Sequence, residues 1–290
     1  MVYEEKSEER HAHLASAQPK HLARNGNSID RIELVTAREM LWPRGRQMSM
    51  TFLIPRASFL VKRSVRTFPH CSETLFCMTV AGFTFNAFSE NTYLLIDEAT
   101  RQCAIVDPGC YSPAEQQALR EYTEANNLQV SLLLNTHAHI DHVLGNRFVL
   151  DTWPNTPFLL HRLDLATLRA VPTYAASYGF PQYQPAEPTG ELVAGQPVRI
   201  GETELEVRFA PGHAPGHVVF YHEPTATVIG GDVLFQRSIG RTDLPGGNHA
   251  ELLHSIETEL MTLPDATVVY PGHGPATTIG EERRSNPFLN

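Results

Sequence analysis

Lysine is almost missing from this sequence. The 290 residues contain three, Lys6, Lys20 and Lys62, and every basic residue after Met78 is an arginine. Cysteine is also scarce, at four. Cys71, Cys77, Cys103 and Cys110 lack CxxC spacing, which excludes a disulfide framework or a zinc ribbon and leaves reduced thiols. No apolar run approaches the roughly 18–20 residues of a membrane span, so no membrane anchoring is expected. Positive charge is in deficit: 23 Lys+Arg stand against 32 Asp+Glu, a net of -9, which opposes a nucleic-acid binder that works by neutralising phosphates. There is no Gly-x-Ser-x-Gly elbow, no internal repeat and no low-complexity tract. Hydrophobic residues make up an ordinary 42%, enough for a sizeable core in one large domain or two small ones. What the chain has in excess is histidine, at 14.

Charge divides the chain. Residues 1–77 carry 12 basic and 8 acidic residues, whereas residues 78–290 carry 11 basic and 24 acidic. The first part opens with the charged run Glu4-Glu5-Lys6-Ser7-Glu8-Glu9-Arg10. Its apolar residues come in short clusters at 32–35 and 52–55, with no sustained period. An acidic start and the interruption at Pro55-Arg56 exclude a standard secretory signal. Residues 1–77 are therefore expected to form a disordered N-terminal extension, one version of which is translation from upstream of a natural start at Met78. The acid-free stretch 48–70 offers an alternative, an organelle-targeting segment beginning at Met48 or Met50. Without such targeting the protein is expected in the cytoplasm.

Residues 78–290 read as a single α/β domain. Strands are predicted over 83–91, 92–97 and 102–107, the last closed by Pro108-Gly109. Ser112-Pro113-Ala114-Glu115 starts a helix that runs to about Asn127: Ser caps, Pro takes the first helical position, and Glu lies three residues after the cap. A largely apolar run, 130–135, fits a buried strand, and a helix over 142–150 follows. A short strand is predicted at 158–161. Hairpins are predicted over 198–210, turning at Gly201-Glu202, and over 218–230, turning at Glu223-Pro224-Thr225. An amphipathic helix over 248–263 and a strand over 266–270 close the series. Cys103 is expected in the core; Cys110, in a loop after a strand end, is an inert thiol or a border of the site.

The strongest signal is Thr136-His137-Ala138-His139-Ile140-Asp141-His142, directly after the buried strand. Loops at strand ends are where a rigid scaffold places reactive groups. His137 and His139 are two apart, so in an extended segment both face one point. Asp141 and His142 come where the chain turns into a helix, so they face a second point nearby. Such nitrogen and oxygen donors suit zinc and similar metals. The plain alternative is a surface histidine cluster. Three further loops weigh against it: Pro211-Gly212-His213, Gly230-Gly231-Asp232 and Pro271-Gly272-His273. Each follows a strand-like run, and small or turn residues let its backbone approach a shared site closely.

With these motifs, residues 78–290 resemble the metallo-β-lactamase superfamily. The resemblance implies an α/β fold, an αββα sandwich of the metallo-β-lactamase type with metals at one edge. It implies one metal held by His137, His139 and His213, a second by Asp141, His142 and His273, and Asp232 bridging the two. Asp232 and Asp141 are the candidate catalytic carboxylates among these ligands. The cofactors implied are two divalent metal ions, with zinc first and iron or manganese as alternatives.

Within the superfamily the chain is most similar to short glyoxalase II-like hydrolases. The likeness rests on the segment from Phe83-Thr84-Phe85 to Asn91-Thr92-Tyr93, on Ile105-Val106-Asp107-Pro108-Gly109, on Gly240-Arg241-Thr242-Asp243, and on the ending Ser285-Asn286-Pro287-Phe288-Leu289-Asn290. Full-length glyoxalase II carries a helical domain after its last metal histidine that contacts glutathione; with 17 residues after His273, the chain is expected to resemble the short, single-domain branch. The implied activity is hydrolysis of a small-molecule thioester such as S-lactoylglutathione. Bound metal lowers the pKa of water from about 15.7 to about 7, so hydroxide is available to attack the carbonyl. The Gly240–Asp243 segment also resembles mononuclear iron persulfide dioxygenases, the first rival; lactone or β-lactam hydrolysis is a weaker one, and a protein that only binds is the last.

Residues around the ligands carry further expectations. Asp107 either orients a ligand histidine or caps a turn. Arg241 and Asp243 pair with each other, or Arg241 faces an anionic substrate. Tyr174 and Tyr178 line the substrate or pack a loop. His217 is structural, and His161, His222, His249 and His254 lie on the surface or pack locally.

Overall fold

The strand Glu90–Asp97 is buried at every position, so both faces of its sheet must be covered. A computed structural model, describing residues 62–64 and 78–289, supplies the two covers. The first sheet runs in chain order: β1 (Lys62–Ser64), β2 (Met78–Phe85), β3 (Glu90–Asp97), β4 (Gln102–Val106), β5 (Gln129–Leu134), β6 (Phe158–Leu160) and β7 (Gly190–Glu191). Pairing is antiparallel from β1 to β4 and parallel from β4 to β7. The later strands are β8 (Val198–Ile200), β9 (Thr203–Phe209), β10 (Val218–His222), β11 (Thr227–Gly231), β12 (Leu234–Phe235), β13 (Ser238–Ile239), β14 (Val268–Pro271) and β15 (Thr277–Thr278). Six of them form the second sheet in the order β15-β14-β11-β10-β9-β8, and β12 pairs with β13 alone.

Strand alternation sends side chains to different cores. Met78, Val80, Tyr93 and Leu95 of the first sheet meet Val207, Val218, Phe220 and Ile229 of the second. The intervening residues Phe83, Phe85, Leu94 and Ile96 face helices, packing with Leu119, Val149, Leu168 and Val171. These come from α1 (Pro113–Ala125), α3 (Asn146–Thr152) and α4 (Leu165–Tyr174), with α2 (Ile140–Val143) beside them. Val219, Tyr221 and Val228 face outward from the second sheet onto Leu252 and Ile256, where α5 (His249–Ser255) runs into a π-helical turn at Ile256–Leu260. The last helix is α6 (Ile279–Ser285). This is the expected αββα sandwich.

Local chemistry explains the agreements and departures. Ser112 Oγ accepts from Glu115 N, and Glu115 accepts in return from Ser112 N, the reciprocal cap read from the sequence. The helix expected over 142–150 is instead two, α2 and α3, parted at Gly145. The Gly145 N–H donates to Pro108 O at 2.7 Å. A Cβ at Gly145 would lie 2.6 Å from Cys110 Sγ, so the break lets the loop after β4 press against the helices. Cys110 is thereby buried in the helix-side core and does not line the cleft described below. Cys103 is core as expected, and burial pushes its thiol up to about 12. No element was anticipated at α4, α6, β7, β12, β13 or β15. Strand β1 falls inside the segment set apart as an extension and pairs with β2. The expectations for the remainder of residues 1–77, Cys71 and Cys77 included, lie outside the described residues. Among the described residues no helix is long and apolar enough to cross a membrane.

Candidate metal centre

Four strands end at the same edge of the sandwich. The loop after β5 carries His137 and His139, and α2 adds Asp141 and His142. His213 follows β9, Asp232 follows β11 and His273 follows β14. Backbone bonds lock these loops together: Val218 N donates to Thr136 O at 2.9 Å, Gly272 N to Gly231 O at 2.8 Å and Asn91 N to Gly272 O at 2.7 Å. The approach is so close that a Cβ on Gly272 would lie 2.1 Å from Asp232 Oδ1. Glycine is also suited to the left-handed φ of +48° at Gly231.

All seven sequence-predicted donors converge. His137, His139 and His213 form one group and Asp141, His142 and His273 another, the donor atoms of each lying within 4.8 Å of one another. His139 Nδ1 is 2.8 Å from His213 Nε2, which is 3.3 Å from His137 Nε2. In the second group, His273 Nε2 is 3.1 Å and His142 Nε2 3.6 Å from Asp141 Oδ2. Asp232 lies between the groups, Oδ2 at 3.5 Å from Nε2 of both His213 and His273 and Oδ1 at 3.5 Å from Nε2 of His142.

The outer nitrogens fix the rings. The Thr136 hydroxyl donates to Asp107 Oδ2 at 2.6 Å, so it accepts from His137 Nδ1 at 3.0 Å, leaving His137 Nε2 bare for a cation. His142 Nδ1 meets Asp107 Oδ2 at 3.1 Å, His213 Nδ1 meets Arg241 O at 2.8 Å and His273 Nδ1 meets Phe88 O at 3.1 Å. Asp107 also accepts from Thr136 N at 2.7 Å, and its backbone is held at a left-handed φ of 49°. It thus holds the His142 ring directly and the His137 ring through Thr136. Asp107 falls in a third potential group with His137 and His142. Its oxygens are already committed to these supporting bonds.

The charges are arranged to receive a cation. Burial, reinforced by His213, pushes His139 down to about 3, and burial with neighbouring imidazoles pushes His137 well below the ordinary range. Both are neutral donors at pH 7. Burial would also lower His142, but Asp141 and Asp232 outweigh it and hold the ring well above its usual value. Conversely, burial would raise the Asp232 carboxyl, but His142 and His213 outweigh it and hold it low. His142 Nε2 and Asp232 Oδ1 are nonetheless buried without a hydrogen-bond partner. Orphaned buried atoms of opposite polarity, ringed by five other donors, fit divalent metal ions.

Several supporting residues carried no specific signal in the sequence. Asp164 is fully buried and accepts from Ala138 N and Gly216 N, both at 2.7 Å, tying the first histidine loop to the loop of His213. At a helix start it reads as an ordinary cap, yet its side chain caps nothing in α4. Burial pushes its carboxyl up to about 6. Glu90 is buried beside Gly109, its Oε2 accepting from Thr92 Oγ1 at 2.9 Å. His217 is structural as expected: its Nε2 accepts from Asp232 N at 3.0 Å, and its ring stacks on His137 at 4.7 Å. His161 and His222 are buried, while His249 and His254 are exposed. Arg241 and Asp243 form a bidentate pair at 2.7 and 2.8 Å.

The donors lie at the floor of a cleft of about 890 Å³, where His139, Asp141, His213, Asp232 and His273 line its surface and His137 and His142 are fully buried. One wall is α4 with its flanks, presenting Leu163, Ala166, Ala170, Tyr174 and Tyr178; Arg241 also lines the cleft. Both tyrosines therefore line the cleft.

A fold and edge site of this kind define a metallo-hydrolase. The metallo-beta-lactamase superfamily model matches residues 86–273, and the chain belongs to that superfamily, whose members bind divalent metals. It is 40% identical over 201 residues to the probable metallo-hydrolase YqgX of Bacillus subtilis, covering 69% of this chain and 92% of YqgX. It is 35% identical over 219 residues to the hydroxyacylglutathione hydrolase GloC of Haemophilus influenzae, covering 73% and 99% respectively. Among solved structures it is similar to TTHA1623 in a di-iron-bound form, with 37% identity, a TM-score of 0.63, and coverage of 71% of this chain and 98% of that one.

Proposed function

We propose that the protein is a two-metal thioester hydrolase acting on a small molecule in the cytoplasm. The observation that carries this reading is the pair of three-donor groups joined by one carboxylate, Asp232. Likeness to GloC favours a thioester over other carbonyl substrates. In this reading His137, His139 and His213 hold one ion, Asp141, His142 and His273 hold the other, and Asp232 contacts both. Zinc is the first choice, with iron or manganese as alternatives. When bound, the ions supply Lewis acidity: they polarise a carbonyl and make water acidic enough to attack near pH 7.

The chain's own residues do the rest. Asp232 fixes the spacing of the two groups and orients the attacking water. As the site loads, His142 and His273 give up protons to solvent, because both must become neutral donors, while Asp141 and Asp232 stay ionised as ligands. Asp107 and Thr136 keep the imidazole rings from rotating, so the site does not reorganise as charge develops on the carbonyl oxygen. The C–S bond breaks, water oxygen joins the acyl carbon, and the products are a carboxylate and a thiol. A thiolate leaves readily, so no dedicated general acid is needed.

The same reading assigns residues 78–290 to the hydrolase and residues 1–77 to an extension, which intact-mass analysis of the native protein tests. It assigns no nucleic-acid or membrane partner. The functional test is a thioester and persulfide panel on metal-analysed protein. Thioester hydrolysis with two ions per chain is expected. One iron with oxygen consumption on glutathione persulfide would overturn the reading.

A further inference from the structure

The cleft above the donors is not built for a polyanion. Five large hydrophobic side chains are exposed among the described residues, Phe88, Leu163, Tyr178, Val193 and Phe288. The first three, at 41%, 48% and 53% exposure, all line the cleft. Exposed apolar groups gathered around a concave site mark a binding surface. Helix α4 continues the pattern: Ala166, Ala170 and Tyr174 recur at helical spacing along one face, and the two alanines leave room beside the donors. Leu168 and Val171, on the opposite face, are in the core.

Charge points the same way. Among the described residues lining the cleft Arg241 is the one guanidinium, no lysine follows Met78, and Arg241 is already held by Asp243. Glutathione carries two carboxylates, and recognising them by charge-assisted bonds calls for cations that this wall lacks.

We infer that the α4 wall receives an apolar acyl group, so that the preferred substrates are thioesters of aliphatic or aryl acids larger than lactate. This rests on the thioester-hydrolase reading above. The chemistry is unchanged: water oxygen joins the acyl carbon, the C–S bond breaks, and the apolar acid leaves as its carboxylate. What the wall adds is binding, through burial of acyl methylenes that a lactoyl group does not have.

The test uses the full chain loaded with zinc and a series of N-acetylcysteamine thioesters from acetyl to octanoyl, with S-lactoylglutathione for comparison. The thiol is uncharged and constant, so the series reads the acyl pocket alone. We expect kcat/KM to rise by about threefold per methylene through at least hexanoyl, mainly through KM, in line with the burial of each CH₂. We expect hexanoyl to exceed S-lactoylglutathione. In Ala170→Trp, a change at an exposed helix position, the hexanoyl-to-acetyl ratio should fall by about tenfold. Turnover that is flat or falling with chain length would overturn the inference and leave the hydrolase reading standing. Failure of every thioester, with metal bound, would overturn that reading itself.

Discussion

The floor and the wall of the cleft are made in opposite ways. The floor draws seven donors from the ends of four strands, spread from His137 to His273, and most of it is buried: His137 and His142 have no exposed surface and His213 has 2%. Four of its five histidines have their outer ring nitrogen held by a partner that fixes the ring's direction. The wall is largely one contiguous stretch, 163–178, with side chains exposed by about half at Leu163 and Tyr178. Its residues offer surface and little direction. Rigidity is concentrated where charge must be held in place, and adaptable apolar surface where a substrate must be admitted.

That contrast predicts graded effects. The largest is His139→Ala, which should remove metal binding and turnover together. The loss should exceed the roughly 10–100-fold that outer-shell partners cost. Elemental analysis beside a thioester assay checks it; retained hydrolysis would break the assigned floor. Next is Asp107→Asn, which weakens the acceptor for Thr136 and His142. It should lower metal affinity or kcat by about 10–100-fold with KM little changed, read by metal titration and steady-state kinetics. Asp164→Asn can keep one backbone N–H bond and must forfeit the other. It should cost about 1–3 kcal/mol in stability, as a buried donor left unpaired does, with a smaller loss of metal affinity. Thermal unfolding with and without metal measures this. The smallest effect belongs to the wall. Tyr178→Ala should raise KM for long-chain thioesters a few-fold and leave metal content untouched. A loss of metal in that variant would erase the distinction between floor and wall.

The two regions also differ in how far the sequence discloses them. Histidine and aspartate are chemically distinctive, and Pro-Gly-His or Gly-Gly-Asp after an apolar run states both a strand end and a donor. The floor was therefore legible to the residue, and so were the capped α1 and the two hairpins. The wall was legible only at Tyr174 and Tyr178. Alanines at helical spacing have no signature of their own, and α4, whose Pro172 argues against a helix, was not anticipated. Asp164 was hidden for another reason. A carboxylate at a helix start looks like a cap, and only tertiary structure reveals that it faces Ala138 and Gly216 instead. The break at Gly145 is similar, since its cause is Cys110 and Pro108, more than 30 residues earlier.

The central claim is that two ions, joined through Asp232, serve one reaction. Its most direct measurement is a zinc titration of metal-stripped full-length protein, following thioester turnover against bound metal per chain. Turnover should be absent without metal and should climb until two ions are bound. Full turnover at one ion, or none at any loading, would contradict it.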